Sequence, residues 1–591
     1  MKDLKFKGKR LAIFSKGSQY MHKIEVDILI IGMGAAGQFA ALNAYDSNPN
    51  LNILIVTKDL RGKGGCSRMV QGGFNVVLNP QDSHEKHLMD TLKGGHFINN
   101  QDLAKTLVEQ ATPTIKEMET KYGCFFDRNP DGTIHQKPFA GQSFDRTVHK
   151  GDLTGIEIIS RTMEQIYKRN IRVLEEHRVL DLLKDASGKE VTGALILDVR
   201  RGTFMVVEAA LILVAAGGGT TNYRFFAPGP VKTLDGLGIL YRAGVWMRDM
   251  EMVQFHPTGL IIPGSVVAGA LLEEGLRGAG AHMINRDGER YMARYDPERM
   301  ERTTRDIMSR SSFLEIRDGR ACDHGGINIV ASHLGAEFVE KNFPGMCERV
   351  ALFGHDLARE PVAVSPSAHY MMGGAAFDVE CRTSLNRLFV AGEDSGGTHG
   401  ANRLGGNGIC DSCVFGRQAG KALAKYFAEN RNAPASDPAY IEYLIGKYTR
   451  PFERSSGDLP FQLKDQLREL NWTKVGVART GKGLLEASQE IESIHEEAER
   501  VRLQGGRAYN MAWNDWMSLL NMVYVSRLTI HSALLREETR GAHFREDYPA
   551  EDDGYGLFNV FTKGGDNGKP MFEKRPVELK YLKPSEVANK H

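Results

Sequence analysis

The apolar positions of this chain fall into two patterns. Short unbroken runs occur at residues 28–31, 53–56, 209–216 and 388–391, each followed closely by glycine or a polar turn. Runs of that length bounded by turns read as strands buried on both faces of a parallel sheet. Between them, apolar residues recur at helical spacing over 38–46, 102–122, 155–169, 411–430 and 483–503. Shorter segments at 172–174, 191–198 and 204–208 suggest a meander inserted into that sheet, with 209–219 returning to it as a separate buried strand. From about residue 246 to 366 the pattern changes: histidines, arginines and acids crowd into loops, and the helical segments are irregular. This predicts an inserted second domain. The buried-strand signal returns at residue 388, the helix at 411–430 closes the first domain, the remainder to about residue 535 is helical, and the polar tail beyond 541 is expected to wrap the surface.

Glycines punctuate the strand ends. Gly32, Gly34 and Gly37 follow the first run in GxGxxG spacing, with a helix and a second strand after them. The first glycine permits the tight turn, the second lets backbone approach a pyrophosphate, and the third lets helix and strand pack closely. Backbone N–H groups at the helix start then suit a diphosphate. The acidic residue expected near the end of the second strand is absent, and Thr57-Lys58 stands there instead. The fingerprint alone therefore leaves NAD, NADP and FAD open. A glycine-dense loop follows at 61–74, and Ala216, Gly217 and Gly218 end the 209–219 strand. Seven glycines lie between Gly392 and Gly408.

Composition narrows the field. The chain has 591 residues, 41% hydrophobic and 25% charged, with a net charge of +1. That balance gives no basis for nucleic acid as a bulk partner. No run reaches the ~18 apolar residues of a spanning helix. The basic start has no apolar core or cleavage site, so a cytoplasmic protein with a short extension is expected. Residues 2–10 read as a solvated tail or a weak interaction arm. Seven scattered cysteines fit a reducing compartment. Cys410 and Cys413 form a CxxC without a second pair, so no metal site is expected.

Four polar clusters can carry chemistry: Gln254-Phe-His-Pro-Thr-Gly259, Glu273-Glu-Gly-Leu-Arg-Gly278, Thr303-Thr-Arg-Asp306, and Ser367-Ala-His-Tyr-Met-Met-Gly-Gly374 with Ala401-Asn-Arg-Leu-Gly-Gly406 beyond it. Arginine offers a rigid fork matched to carboxylate, and histidine adds tunable donors. Together these clusters point to a small anionic substrate.

These motifs, with Gln71-Gly-Gly, Pro138-Phe-Ala-Gly-Gln-Ser143, Gly476-Val-Ala-Arg-Thr480 and Arg540-Gly-Ala-His543, resemble the flavoprotein subunits of succinate dehydrogenase and fumarate reductase. L-aspartate oxidase belongs to the same wider family. The resemblance runs from about residue 24 to 558. It implies an α/β fold: a Rossmann-like FAD-binding domain at 24–245 and 367–430, an inserted α+β capping domain at 246–366, and a C-terminal helical domain at 431–540. Residues 1–23 and 541–591 would be an extension and a tail. Thr57-Lys58 resembles the family's strand end and points to FAD. Besides the fingerprint, with Ala35 and Ala36 at its helix start, the flavin contacts would include Thr57, Lys58, Gly64, Gly65, Cys66, Ser67, Gln71, Gly72 and Gly73. Ala216, Gly217, Gly218, Asp235, Glu393, Arg403, Gly408 and Ile409 would complete them.

By the same resemblance, His256, His369 and Arg403 would hold substrate carboxylates, and Phe139 would lie in the pocket. Arg305 would move a proton, replenished through Glu274 and Arg277. Three departures stand out. Cys66 occupies the place of the histidine that tethers FAD in the membrane enzymes, so the FAD is expected to be non-covalent, with a lower potential that favours alkene reduction. Glu273 replaces a carboxylate-binding threonine, and an ionised glutamate there would repel a carboxylate. The loop between His256 and Arg277 is longer than in the dehydrogenase pattern. The resemblance implies an iron–sulfur partner, with a membrane-anchor or other electron-transfer subunit, and a peripheral place at the inner face of the cell membrane. A stand-alone L-aspartate oxidase, or a reductase of another unsaturated acid, is the alternative.

Overall fold

A computed structural model of the protein describes residues 22–265, 267–272, 274–432, 434–553, 557–564 and 570–588. Strand β1 (His22–Ile31) turns through Gly32 and Gly34 into helix α1 (Ala35–Ser47), and strand β2 (Ile53–Val56) follows. The two strands are parallel, with Ile28 opposite Ile53 and Ile31 opposite Val56. Gly32 has a φ of +108°, and a Cβ on it would lie 2.1 Å from the carbonyl oxygen of Ala215. Only glycine allows both that backbone and that approach. A Cβ on Gly37 would lie 2.2 Å from the Gly32 carbonyl oxygen, so its absence lets α1 sit directly on the turn.

The main sheet continues with β3 (Arg172–Leu174), β4 (His177–Lys184), β5 (Val191–Asp198) and β6 (Thr203–Val214). Its order is β3-β2-β1-β6-β5-β4, and the strand Leu388–Val390 pairs in parallel with the end of β6. Three sequence expectations are corrected here. Residues 172–174 do not join the meander; they pair in parallel with β2 at the sheet edge. The meander instead begins at β4, which the pattern hid because His177, Arg178 and Asp181 interrupt its apolar residues although all three are buried. Residues 204–208 and 209–214 are one strand, not two. Along the edge of β6 away from β1, residues 203–208 pair with β5 and residues 212–214 with Leu388–Val390. The change of neighbour, not a break in the backbone, produces the change of pattern.

The segment after residue 246 builds a four-stranded antiparallel sheet in the order Val253–Leu260, Val362–Met371, Ile327–Val330, His282–Ile284. Its own apolar cluster runs from Leu260 to Val364 and includes Met283, Met308, Ile329 and Met346. Strand Val362–Met371 starts in that cluster and ends, at Ala368 and Met371, in the main core. It carries His369 and its partner strand carries His256, so the junction of the two cores is where the histidines meet. The helix expected at 411–430 begins earlier, at Asn407, because Gly406 takes a φ of +84° that turns the chain into it.

Four helices follow, Pro438–Thr449, Pro460–Lys474, Gly481–Glu499 and Met511–Leu535. The tail does more than wrap the surface: Phe558–Gly564 pairs with Pro570–Pro576 and with Met247–Arg248, adding two strands to a five-stranded sheet. Arg536 fixes this junction. It is fully buried and donates to Glu251 at 2.7 Å, Glu538 at 2.8 Å, Asp249 at 3.4 Å and the Phe558 carbonyl at 3.0 Å. Breaking a buried ion cluster from one side leaves charges without compensation. Arg536→Met is therefore expected to lower stability by about 3–5 kcal/mol, read by denaturant unfolding of the FAD-loaded chain. A loss below about 1 kcal/mol, the size of an exposed ion pair, would contradict that role for Arg536.

Candidate active site

A single cleft of about 780 Å³ runs from the Gly32–Ala36 turn to Arg305. At one end, the ends of three neighbouring parallel strands, β1, β6 and Leu388–Val390, deliver their glycine turns to it, as expected where ligands bind at the carboxyl edge of such a sheet. Helix α1 starts on the cleft with Gly34 and no capping bond from that residue, while Ser67 Oγ accepts from the Ala35 N–H at 3.0 Å. Beyond, Lys58 Nζ meets Asp235 at 2.6 Å, and Arg178 meets the same carboxylate at 2.7 Å. Burial raises the Asp235 pKa, but the charges of Arg178 and Lys58 outweigh it and hold the group below its ordinary value. Asp394 accepts from the backbone N–H groups of Gly217 and Gly218 at 2.7 and 3.0 Å. Burial pushes its pKa up to about 6.

The middle of the cleft holds Cys66 beside the buried ion pair of Lys232 and Glu393. Burial raises the Cys66 thiol pKa, and the Lys232 charge only partly opposes that. Gln71 faces Arg349, which reaches in from helix Pro344–Ala351; in the amide orientation that satisfies both groups, the Gln71 oxygen accepts two bonds of 2.7 and 2.9 Å.

At the far end, two guanidiniums converge on one oxygen. Arg305 Nη1 and Arg403 Nη2 donate to Gln254 Oε1 at 3.2 and 2.9 Å. The Gln254 nitrogen donates to Asn402 Oδ1 and to the Arg403 carbonyl, both at 2.8 Å. Arg305 Nε also donates to Glu274 at 2.7 Å. Burial raises the Glu274 pKa, but Arg305 and Arg277 hold it below its ordinary value, so it stays ionised. Arg403 lies 4.4 Å over the Tyr370 ring, and among the described residues its Nε hydrogen has no acceptor. Burial and the neighbouring Arg305 lower its pKa to about 10. The rings of His256 and His369 stand edge to face, 5.4 Å apart. Burial first, and the arginines second, hold both imidazoles well below their ordinary pKa, hence neutral. Phe139 closes the wall. A Cβ on Gly405 would lie 2.8 Å from its ring and 3.1 Å from Arg305, so the backbone there must be bare.

The residues singled out in the sequence thus share this one cleft, with three exceptions. Gly37 lies behind the turn and serves packing. Arg277 is buried but not hydrogen-bonded to Glu274; it donates to the Glu301 carbonyl at 2.7 Å, and among the described residues its Nε and Nη2 have no partner. Its charge helps to hold the Glu274 pKa down. Glu273 lies outside the described residues, as do residues 1–21 of the extension. The long loop after Leu260 folds back on itself, with Leu260 N–H to the Ala270 carbonyl at 2.8 Å and Gly269 N–H to the Leu260 carbonyl at 2.9 Å. It brings Val267, Ala270 and Leu271 to the cleft wall.

Sequence reading missed Arg178, Lys232, Arg349 and Asp394, and the bridging role of Gln254. Asp394 directly follows Glu393 at a strand end, a position that could have flagged it. Arg178 and Arg349 had no motif around them. Cys410 and Cys413 are buried in helix Asn407–Glu429, and among the described residues no cluster of three or more His, Cys, Asp or Glu is placed to hold a metal.

The donor set fits a flavin dinucleotide. A helix start that Gly34 leaves without a side-chain cap and glycines with no room for Cβ lie at one end, and a cationic pocket lies at the other. Residues 27–409 match the FAD binding domain model, and residues 464–588 match the fumarate reductase flavoprotein C-terminal model. The chain is 41% identical to an uncharacterized FAD-dependent oxidoreductase of Methanocaldococcus jannaschii, covering 93% of this chain and 98% of that one. It is 38% identical to one chain of the fumarate reductase (CoM/CoB) of Methanothermobacter marburgensis, covering 89% and 95%. Among solved structures, a mutant of Escherichia coli quinol fumarate reductase superposes with a TM-score of 0.89 at 30% identity, covering 95% and 98%. With that match in sequence and in fold, the chain belongs to the fumarate reductase and succinate dehydrogenase flavoprotein subunits, a family of FAD-dependent oxidoreductases.

Proposed function

We propose that this protein reduces a small unsaturated dicarboxylate of the fumarate class. It would draw electrons from an iron–sulfur subunit, with a membrane-anchor or other electron-transfer subunit beyond it, at the inner face of the cell membrane. The observation that carries the reading is the pair of arginines gathered on Gln254 beside two neutral histidines, at the end of a flavin cleft. Among the described residues, no helix is long and apolar enough to cross a membrane.

Bound FAD would supply hydride exchange. Arg403, His256 and His369 would clamp the carboxylates, fixing the alkene and polarising it. An isolated guanidinium is a poor acid. Arg305 sits in a positive field beside an ionised carboxylate, so it can give a proton to the alkene carbon and recover one through Glu274. Arg277 would keep Glu274 ionised and act no further. The same field makes the pocket hungry for anions: Arg403 donates to a neutral amide and covers an aromatic ring.

Four measurements check this reading. The FAD is expected to be non-covalent, because the tether position holds a thiol whose pKa burial raises, and only the thiolate is a good nucleophile. Acid precipitation should leave the yellow flavin in the supernatant; flavin in the pellet would show a covalent link. Dithionite-reduced flavin should then be reoxidised by fumarate in the native protein, and indifference to fumarate would overturn the substrate assignment. Arg305→Lys should cut fumarate turnover by about 10²–10⁴-fold with flavin content unchanged; retained turnover would remove Arg305 from the proton path. A dianion bound against His256 and His369 should raise their depressed pKa values. Its affinity should therefore strengthen as pH falls toward those raised values, by linkage. Malonate titrated against the flavin spectrum reads this directly, and an affinity that stays flat or weakens would place the anion elsewhere.

A further inference from the structure

A line of contacts leads away from the paired arginines to the protein surface, and the mechanism above does not use it. The Gln254 nitrogen donates to Asn402 Oδ1, and Asn402 Nδ2 donates to Asp306 Oδ1 at 2.9 Å. Asp306 follows Arg305 in sequence, so Arg305, Gln254, Asn402 and Asp306 close a ring. The other Asp306 oxygen faces His96 Nε2 at 3.7 Å, and His96 Nδ1 meets Glu551 at 2.5 Å. Arg540 completes the end of the line: it donates to the His96 carbonyl at 3.4 Å and meets Glu551 at 3.2 Å and Asp553 at 2.8 Å, with Glu538 on its far side.

His96 therefore joins three parts of the fold. It follows helix His84–Gly94 of the flavin side, it faces the first turn of helix Arg305–Glu315, and it is held by the tail. Its backbone is unusual: His96 and Phe97 have φ of 52° and 60°, two successive left-handed residues without glycine. Such conformations persist only where surrounding contacts determine them.

We propose that His96 is a positioning residue: as an imidazolium between Asp306 and Glu551, it holds the turn that carries Arg305 and thereby sets how the two arginines meet on Gln254. The inference rests on the reading of Arg305 as the proton donor. The charged groups around His96 are Asp306 from the Arg305 helix, Glu551 from the tail, and Arg540 on its backbone side, with Arg310 further along the Asp306 helix. Burial disfavours the imidazolium, yet Asp306 and Glu551 outweigh it and raise the pKa to about 9. A raised histidine pKa stabilises below the ordinary value, and that stability is lost as pH rises through the folded one. The tie thus holds across neutral pH and loosens near pH 9.

Two readouts on the FAD-loaded full chain test this. Histidine-labelled NMR, with the His96 signal assigned by its loss in His96→Gln, should show a group titrating above pH 8. A titration near the ordinary value of about 6.5 would remove the ion pair and overturn the proposal, whatever the enzyme reduces. Viologen-driven fumarate reduction is the second readout. His96→Gln should lower kcat about 10–100-fold, shift KM by less than about threefold, and abolish the alkaline limb near pH 9. His96→Arg, which keeps a cation, should restore most of the rate. Asp306→Asn should cost as much as His96→Gln, and the two together little more than either, as for one connected path. An unchanged pH profile in His96→Gln, or additive losses, would overturn the positioning role. A wild-type protein inert toward fumarate would sink the function proposed above, while the NMR titration would still decide the His96 tie.

Discussion

Two buried guanidiniums that share one neutral oxygen are a costly arrangement, and much of this structure serves to hold it. Arg305 and Arg403 repel each other, and taking each out of water costs several kcal/mol before any partner is counted. Among the described residues, only one carboxylate, Glu274, is hydrogen-bonded directly to the pair. The remaining positive charge depresses both histidines and lowers the Arg403 pKa. A site in that state gains from any small dianion that enters, and a preorganised field of this kind needs little rearrangement during reaction.

Holding it takes three separate stretches of chain. Gln254 lies on a strand of the antiparallel sheet, Arg305 begins a helix of the same region, and Arg403 comes from the glycine-rich turns near the flavin end. Gly405 and Gly408 are bare because side chains there would strike Arg305, Phe139 or Arg403. The antiparallel sheet has its own apolar core, yet its long strand Val362–Met371 finishes in the main one. That shared strand fixes His369 to the flavin side while His256 sits on its neighbour.

The C-terminal segment is bound into the same network of charge. Arg536 gathers Glu251, Glu538 and Asp249 next to the strand that leads to Gln254, and the final hairpin pairs with Met247–Arg248. Tail residue Glu551 and Arg540, just before the tail, then reach His96. A segment that looks like surface wrapping in one dimension is thus part of the frame behind the site.

The sequence by itself determined the local parts. The apolar runs marked β1, β2 and Leu388–Val390, and the glycines marked the turns at their ends, because a buried parallel strand and a left-handed turn each restrict residue type at single positions. His256, Arg305, His369 and Arg403 stood out as members of dense polar clusters, and their roles were read from the family resemblance those clusters carry. Only the tertiary structure decided how those parts meet. Strand β4 was invisible because its buried charges, Arg178 and Asp181, are compensated by Asp235 and Arg242 far along the chain. The continuity of β6 was invisible because its neighbours change midway. Arg349 against Gln71 and His96 against Asp306 carry no local signature at all. Periodicity reports what one residue does to its own backbone and face; a contact between residues hundreds of positions apart depends on where the whole chain places them.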